Sequence, residues 1–494
     1  MKIYPDYNVF SYLSKKYNII PICREIIGDI ETPVSAFMKI KSGVYNFLLE
    51  SAEQEERTGR YSFIGTGPEL IIKGKNNEIE IYDNTTGESK KLYNNQPLKI
   101  IDEYLKKFKT PILPQLPPFT GGFIGFISYD FIRTIEKLPS LSYDDLKVPD
   151  FIFILSKDII VFDHFKRRIL LITNLSIDNK KTSLKSLYDE GIEKLEKIKE
   201  KLEKPLYIVE SLKKKQITKE FKSNFSHKQF LESVKKIKKY IRNGDIIQCV
   251  PSQRWEKKLD TQPLNIYRSL RMINPSTYMF FLQMEDTNLI GSSPEILVRQ
   301  EGTKAILRPI AGTRKRGKDE KEDKKLENQL INDEKEKAEH IMLVDLGRND
   351  LGKVCIPGSV KVTDFMKIEK YSHVMHLVSN IEGIIKKGKS PIDLLISTFP
   401  AGTVTGAPKI RAMEIIEEIE PTRRGPYAGA VGYFSFQKNM DFCITIRTIV
   451  ISKEKAYIQA GAGIVADSIP TREYYEIINK SKGPMEAYEI SGEI

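Results

Sequence analysis

Gln459-Ala-Gly-Ala-Gly-Ile-Val-Ala-Asp-Ser-Ile-Pro-Thr-Arg-Glu-Tyr-Tyr-Glu-Ile-Ile-Asn-Lys480 joins a β-like run, Lys455–Gln459, to a helix through a glycine turn. Gly461 and Gly463 let the backbone approach a ligand closely. Pro470 and Thr471 mark the start of the helix, with Thr471 as the expected cap. Glu473 and Glu476 lie three residues apart, so both carboxylates are predicted on one face, and Lys480 follows a turn later. A glycine-lined turn beside two carboxylates and a lysine suits a metal ion and an anionic ligand. Taken alone, the same residues read first as the solvated end of an amphipathic helix.

Working back from that unit, Tyr427–Phe436, Asp441–Ile451 and Lys455–Gln459 read as three consecutive strands of an antiparallel sheet. Residues 390–420 read as helix, loop, helix, with Pro408 in a first helical turn whose free N–H groups would accept an anion. A long polar helix is expected over about Lys325–Leu346, with Glu336, Glu339 and Leu343 on one face. His373 and His376 sit three apart, but no H-E-x-x-H pattern accompanies them. Arg308-Pro-Ile-Ala-Gly-Thr-Arg-Lys-Arg-Gly317 reads either as an anion-binding loop or as a basic surface loop. Further upstream, Ser226 caps a helix that Gly244 stops, and Ile246–Arg254, Tyr278–Met284 and Ile296–Arg299 read as strands, with Ser292–Glu295 at a turn.

Residues 1–173 read as sheet-rich, through Val44–Leu49, Tyr61–Gly65, Glu69–Lys73, Glu78–Tyr82, Phe151–Leu155 and Ile169–Thr173. Gly121–Asp130 is a glycine-punctuated strand. Residues 174–221 are lysine-rich and read as a linker, part helix over Lys181–Lys204 and part tether, before a second unit at 222–494.

Composition limits the alternatives. A chain of 494 residues with 40% hydrophobic and 10% aromatic residues has ample material for a core. Its net charge of +12 could signal nucleic acid, but the lysines are spread along the chain and interleaved with glutamates. A cleft that attracts small dianions fits the charge equally well. Cys23, Cys249, Cys355 and Cys443 lie far apart, which argues against zinc and against a disulfide framework and fits a reducing compartment. No signal peptide and no membrane span is expected, so the reading is cytoplasmic.

Several motifs fail. Gly402–Gly406 lacks P-loop spacing, and no G-x-S-x-G or glycine-flanked cysteine nucleophile is present. Gly461–Ala466 fits a lone G-x-G-x-x-A, but too little sequence follows for a dinucleotide fold.

Four long stretches in order, Pro309–Gly317, Glu339–Asp350, Pro400–Lys409 and Gln459–Glu476, resemble anthranilate synthase component I, of the chorismate-utilising enzymes. The resemblance is strongest over about 222–483. It implies an α+β fold: a large antiparallel-sheet, β-sandwich-like chorismate-binding body ringed by helices, with a sheet-rich N-terminal regulatory domain. It implies Mg²⁺ held by Glu339 and Glu476, with Glu336 and Glu473 behind them. Arg447 and Lys480 match the partners of substrate carboxylates. Tyr427 and Gly463 match the enolpyruvyl pocket, Gly312 and Thr403 match the ring lining, and Thr313 and Gly461 match further substrate-binding positions. Glu295 matches the acid that expels the ring hydroxyl, and His376 the histidine that assists pyruvate elimination.

The resemblance also separates close relatives. Water-adding isochorismate and salicylate synthases carry lysine at the position of Gln248, and aminodeoxychorismate synthases carry lysine at that of Ala311, so anthranilate is the expected product. Aminodeoxychorismate synthase component I is the alternative. Ammonia is expected from a separate glutamine amidotransferase subunit, component II, in a heterotetramer of two of each, with neither nucleic acid nor membrane as partner. Pro33, Leu49, Glu50, Ser51, Asn274, Pro275, Thr277, Tyr278, Met279 and Cys443 match a tryptophan feedback pocket, Thr277 standing where proline is usual.

Overall fold

The computed structural model describes residues 2–51, 59–177, 183–206, 220–370 and 374–494. Two twelve-stranded antiparallel sheets lie face to face. In the first, Ile19–Ile27, Arg168–Ser176, Asp158–Asp163, Tyr61–Thr66 and Tyr45–Glu50 run on into Tyr278–Met284, Thr287–Ser293, Thr448–Ser452, Lys455–Gly461 and Ser252–Lys258. In the second, Ile310–Lys315, Val374–Ile384, Lys304–Leu307, Ile296–Glu301, Met440–Ile444 and Ala430–Ser435 run on into Gly122–Ile127, Phe151–Ser156 and Leu70–Lys75.

Period-two side-chain alternation explains the layers. On Tyr278–Met284, Phe280 and Leu282 enter the core between the sheets, while Met279 and Phe281 face outward onto helices. On Gly122–Ile127, Ile124 and Phe126 point between the sheets, and Phe123 and Ile127 point to the other outer layer. Strands covered on both faces read as continuous apolar runs, as these do. Helices Pro33–Ile40, Leu184–Glu203, Pro263–Ile273 and Pro470–Ile490 cover the first sheet. Lys99–Lys107, Glu334–Gly352 and Pro391–Thr398 cover the second. The expected antiparallel body ringed by helices is therefore present.

The boundary expected near residue 173 does not separate two sets of sheets. Glu50 stands opposite Met279, and Phe126 opposite Val431, so segments from both sides of it complete each sheet. The helix Leu184–Glu203, expected in a linker, buries Tyr188, Leu195 and Leu202 against the first sheet. Residues 207–219 of that linker lie outside the described residues.

Three local expectations are corrected. The long polar helix is two helices, Glu320–Ile331 and Glu334–Gly352, because the Asp333 side chain accepts from the N–H groups of Lys335 and Glu336 and starts a new helix. The run Asp441–Ile451 breaks at residues 445–447 into Met440–Ile444 and Thr448–Ser452, which belong to different sheets. A chain crossing between sheets roughly 10 Å apart cannot remain one strand. Thr471 is not the cap: the helix begins at Pro470, with Ile469 before it and no side-chain cap. No helix among the described residues is long and apolar enough to cross a membrane.

Candidate active site

Two crossings between the sheets lie side by side and form the floor of a cleft. Glu295 joins Thr287–Ser293 of the first sheet to Ile296–Glu301 of the second. Arg447 ends the return crossing, from Met440–Ile444 to Thr448–Ser452. Backbone bonds tie the two: Ile444 N donates to Glu295 O at 3.0 Å, and Ser292 N donates to Arg447 O at 3.2 Å. Arg447 has φ +50°, a left-handed corner that a strand could not contain.

The chemistry of this floor is unusual for surface groups. Burial pushes the Glu295 carboxyl up to about 7, against the opposing pull of the Thr403 hydroxyl and the Lys480 ammonium. Burial also pulls the Arg447 guanidinium below its ordinary range. Arg447 is half-buried and makes no ion pair with any described carboxylate. A desolvated guanidinium without an acidic partner is a socket for an anion.

The helix Pro470–Ile490 forms one wall. Lys480 Nζ pairs with Glu476 Oε1 at 2.7 Å and donates to Gly461 O at 3.0 Å, tying the helix to the glycine turn. Glu473 is buried and Glu476 exposed, so the two share an electrostatic neighbourhood but not a solvent face. A Cβ on Gly461 would stand 2.8 Å from the Tyr427 hydroxyl, and one on Gly463 would stand 2.6 Å from Gln248 Nε2. Here the glycines clear the space, as a close backbone approach requires.

The helix Glu334–Gly352 forms the facing wall. Glu339 Oε1 accepts from Gln248 Nε2 at 3.1 Å. Burial raises the Glu339 carboxyl, Gln248 opposes this, and the charges of Glu336 and Glu476 raise it further. Burial likewise raises Glu473, which the charge of Glu476 reinforces. Carboxylates from two helices far apart in sequence thus feel one another's charge. Glu336 is held by Arg314 at 3.3 Å, and its Oε2 lies 3.2 Å from where a Gly312 Cβ would stand. Gly312 has φ +65° in an irregular stretch of its strand.

His376, opposite Thr313 in the sheet, completes the rim. Its Nδ1 lies 3.2 Å from Gly312 O and 3.0 Å from Thr313 Oγ1. A carbonyl only accepts, so Nδ1 carries the proton and Nε2 is left with the lone pair. Burial first, then Arg447, lowers its pKa, which keeps the ring neutral. His373 lies outside the described residues. Thr403, on the short turn Gly402–Val404, reaches the same cavity as Glu295.

The second group of predicted residues gathers around the paired strands Tyr45–Glu50 and Tyr278–Met284. The Glu50 carboxylate is buried and accepts from Tyr267 OH at 2.6 Å and Arg271 Nε at 3.1 Å. Leu49 and Tyr278 pack against the inter-sheet core that contains Cys443. Tyr278 OH donates to Asp441 Oδ1 at 2.9 Å. The Ser51 hydroxyl is buried without a partner among the described residues, and Pro33 starts the helix packed on Tyr45–Glu50. Asn274 O accepts from Ser292 Oγ, on the residue whose N–H holds Arg447 O. Pro275 and Thr277 continue this turn into Tyr278–Met284.

Some supporting residues escaped the sequence reading. Arg424 is fully buried, pairs with Glu420 at 2.6 Å, and donates to Val404 O at 2.7 Å and Val250 O at 2.6 Å. It therefore pins the two loops that carry Thr403 and Gln248. Lys409 Nζ bonds Asp350 Oδ2 at 2.7 Å and joins Glu334–Gly352 to the helix Lys409–Ile419. A buried cation with no carboxylate at helical spacing in view gives no periodic signal. Arg424 and Glu420, four apart beyond a helix end, were the readable hint.

Residues 45–486 match the chorismate binding enzyme family. The chain is 46% identical to the anthranilate synthase component 1 of Acetivibrio thermocellus, over 99% of each chain. It is also 46% identical to that of Aquifex aeolicus, over 97% of each. The crystal structure of anthranilate synthase component I from Streptococcus pneumoniae superposes with a TM-score of 0.75 at 38% identity, over 93% of this chain and 98% of that one. The menaquinone-specific isochorismate synthase of Escherichia coli, at 20% identity and a TM-score of 0.69 over 97% and 98%, shares the fold.

Proposed function

The chain belongs to the chorismate binding enzymes, as a large subunit of the anthranilate synthase kind, and from that membership we propose how its cleft works. It converts chorismate and ammonia to anthranilate and pyruvate in tryptophan biosynthesis, in the cytoplasm. The observation that carries this reading is that Glu339 on one helix feels the charge of Glu476 on another, beside a floor where Arg447 pairs with no described carboxylate and burial raises Glu295.

The donor set fits Mg²⁺, a hard ion that prefers oxygen and keeps several waters. Glu339 and Glu476 would hold it, with Glu336 and Glu473 beside them. Among the described residues no group of three or more His, Cys, Asp or Glu side chains is assembled for a metal. Two carboxylates leave the other positions to water and substrate. Burial first, and then the charge of Glu476, raises both Glu339 and Glu473, and a cation between the helices would offset both effects. When bound, the ion neutralises carboxylate charge on the substrate.

The chain's own groups do the rest. Arg447 and Lys480 bind substrate carboxylates, Arg447 through a planar fork. Tyr427, Gly461 and Gly463 enclose the enolpyruvyl side chain, and Gly312, Thr313 and Thr403 border the ring. Ammonia attacks the ring as its hydroxyl departs, and Glu295 supplies the proton that lets oxygen leave as water. Neutral His376 then assists elimination of pyruvate through Nε2. Gln248 has no basic nitrogen, which suits ammonia, a nucleophile that requires no deprotonation before attack.

Ammonia arrives from a separate amidotransferase subunit, two copies of each chain forming the complex. The four cysteines support this: all are buried, and burial pushes the Cys23 and Cys249 thiols up to about 12. A nucleophilic thiolate needs the opposite shift. Tryptophan binds the pocket around Glu50, Ser51, Asn274 and Met279 and inhibits. The bonds from Asn274 through Ser292 to Arg447 support such coupling.

The test is direct. Purified chain with chorismate, Mg²⁺ and ammonium should give anthranilate fluorescence without added lyase. Absence of fluorescent product overturns the reading. An activity titration that stays flat into millimolar tryptophan removes the feedback pocket alone.

A further inference from the structure

Glu295 also lines a narrow, partly open cavity of about 60 Å³, room for about two to four waters. Most of its wall is apolar, from Leu343, Leu346, Pro309 and Ala401. Three of the polar side chains that reach it are already engaged. Arg308 pairs with Glu369, Asp350 is held by Lys409 and Lys353, and Thr398 Oγ1 donates to the Leu395 carbonyl at 3.0 Å. Two are less fully engaged. Glu295 makes no ion pair with any described residue, and the Thr403 hydroxyl, buried beside it, acts on that carboxyl without forming a hydrogen bond of normal geometry to any described residue.

Purely apolar voids of this size stay dry, whereas a cavity with unmet polar groups takes up water. A hydroxyl removed from solvent and left without a partner is costly, and an ordered water relieves it. An acid that gives up a proton in every turnover also needs that proton back.

We infer that this cavity is a water site serving Glu295: it receives the water formed as the ring hydroxyl leaves, and it returns a proton to the carboxylate, with Thr403 as the positioning residue. The inference rests on the reading of Glu295 as proton donor. The step balances without a further reactant. A C–N bond forms and a C–O bond breaks. The Glu295 proton goes to the departing oxygen, which leaves as water. The surplus proton of ammonia passes to solvent, and cavity water delivers an equivalent one to Glu295.

The experiment combines a high-resolution crystal structure of the chain with kinetics of three variants under saturating ammonium. Ordered water is expected within hydrogen-bond reach of Thr403 Oγ1 and Glu295. Thr403→Val should lower kcat by about tenfold and enlarge the solvent deuterium isotope effect. Thr403→Ser should restore both. Ala401→Val, which fills the cavity and leaves both polar groups in place, should reproduce the loss and carries the test if Thr403→Val does not fold. A dry cavity overturns the inference, as do folded variants with wild-type kcat and isotope effect. A wild-type chain that makes no anthranilate would instead sink the functional reading.

Discussion

Glu295 owes its role to its place at a crossing, where two strands end and water is scarce. If it is the acid, Glu295→Gln should lower kcat by about 10²–10⁴-fold with little change in KM, read by anthranilate fluorescence. The group acts protonated and titrates at about 7. At fixed free ammonia, kcat/KM should therefore fall as pH rises above about 7, and the variant should lose that limb. Stability follows the same sign. The folded state keeps a proton that the unfolded chain releases near 4.5, so rising pH costs stability between the two values. Glu295→Gln should then raise Tm at pH 8 and change it little at pH 5. At the rim, His376→Ala should slow pyruvate loss more than ammonia addition, so chromatography of a stalled reaction should show aminodeoxyisochorismate accumulating.

At the scale of elements, two helices bring the carboxylates together, and each is anchored by a cation. Lys409 and Asp350 are both nearly buried, with side chains 12% and 7% exposed. Removing Lys409 leaves Asp350 with only the exposed Lys353 at 3.0 Å, so Lys409→Ala should destabilise by about 1–3 kcal/mol in urea unfolding. Excess Mg²⁺ at about a hundred times Kd should stabilise the chain by about 2.7 kcal/mol. Glu339→Gln or Glu476→Gln should abolish that gain, and Glu339→Gln, which removes a carboxylate raised by burial and by neighbouring acids, should raise the metal-free Tm.

The sequence made the glycine turn, most strands and the carboxylate spacing legible, because each is a local pattern. The convergence of Glu339 with Glu476 was not local, and only the resemblance supplied it. The break at residues 445–447 was unreadable for another reason: Thr445-Ile-Arg447 continues a β-branched run, and only the gap between sheets forces the corner. Arg424 was missed because the Glu420 spacing reads as an ordinary helix-end pair, while the two backbone carbonyls it also holds, of Val404 and Val250, are announced by no residue type.

For the whole molecule, the interleaving of early and late strands has a testable effect. Neither residues 1–206 nor residues 220–494 can complete a sheet alone, since Glu50 needs Met279 and Phe126 needs Val431. Each piece would expose unpaired strand edges. Calorimetry of the full chain should show one transition, and each fragment expressed separately should show none. A stable, cooperative 220–494 fragment would contradict this.

The same interleaving bears on how the polypeptide is made. Tyr45–Glu50 leaves the ribosome roughly 230 residues ahead of the strand that pairs with its open side, a wait of roughly 10–50 s at ordinary translation speeds. Gly122–Ile127 waits roughly 300 residues for Ala430–Ser435. During that interval the nascent chain carries apolar edges with no mate, so its yield in the cell is set by whatever shields those edges while synthesis finishes.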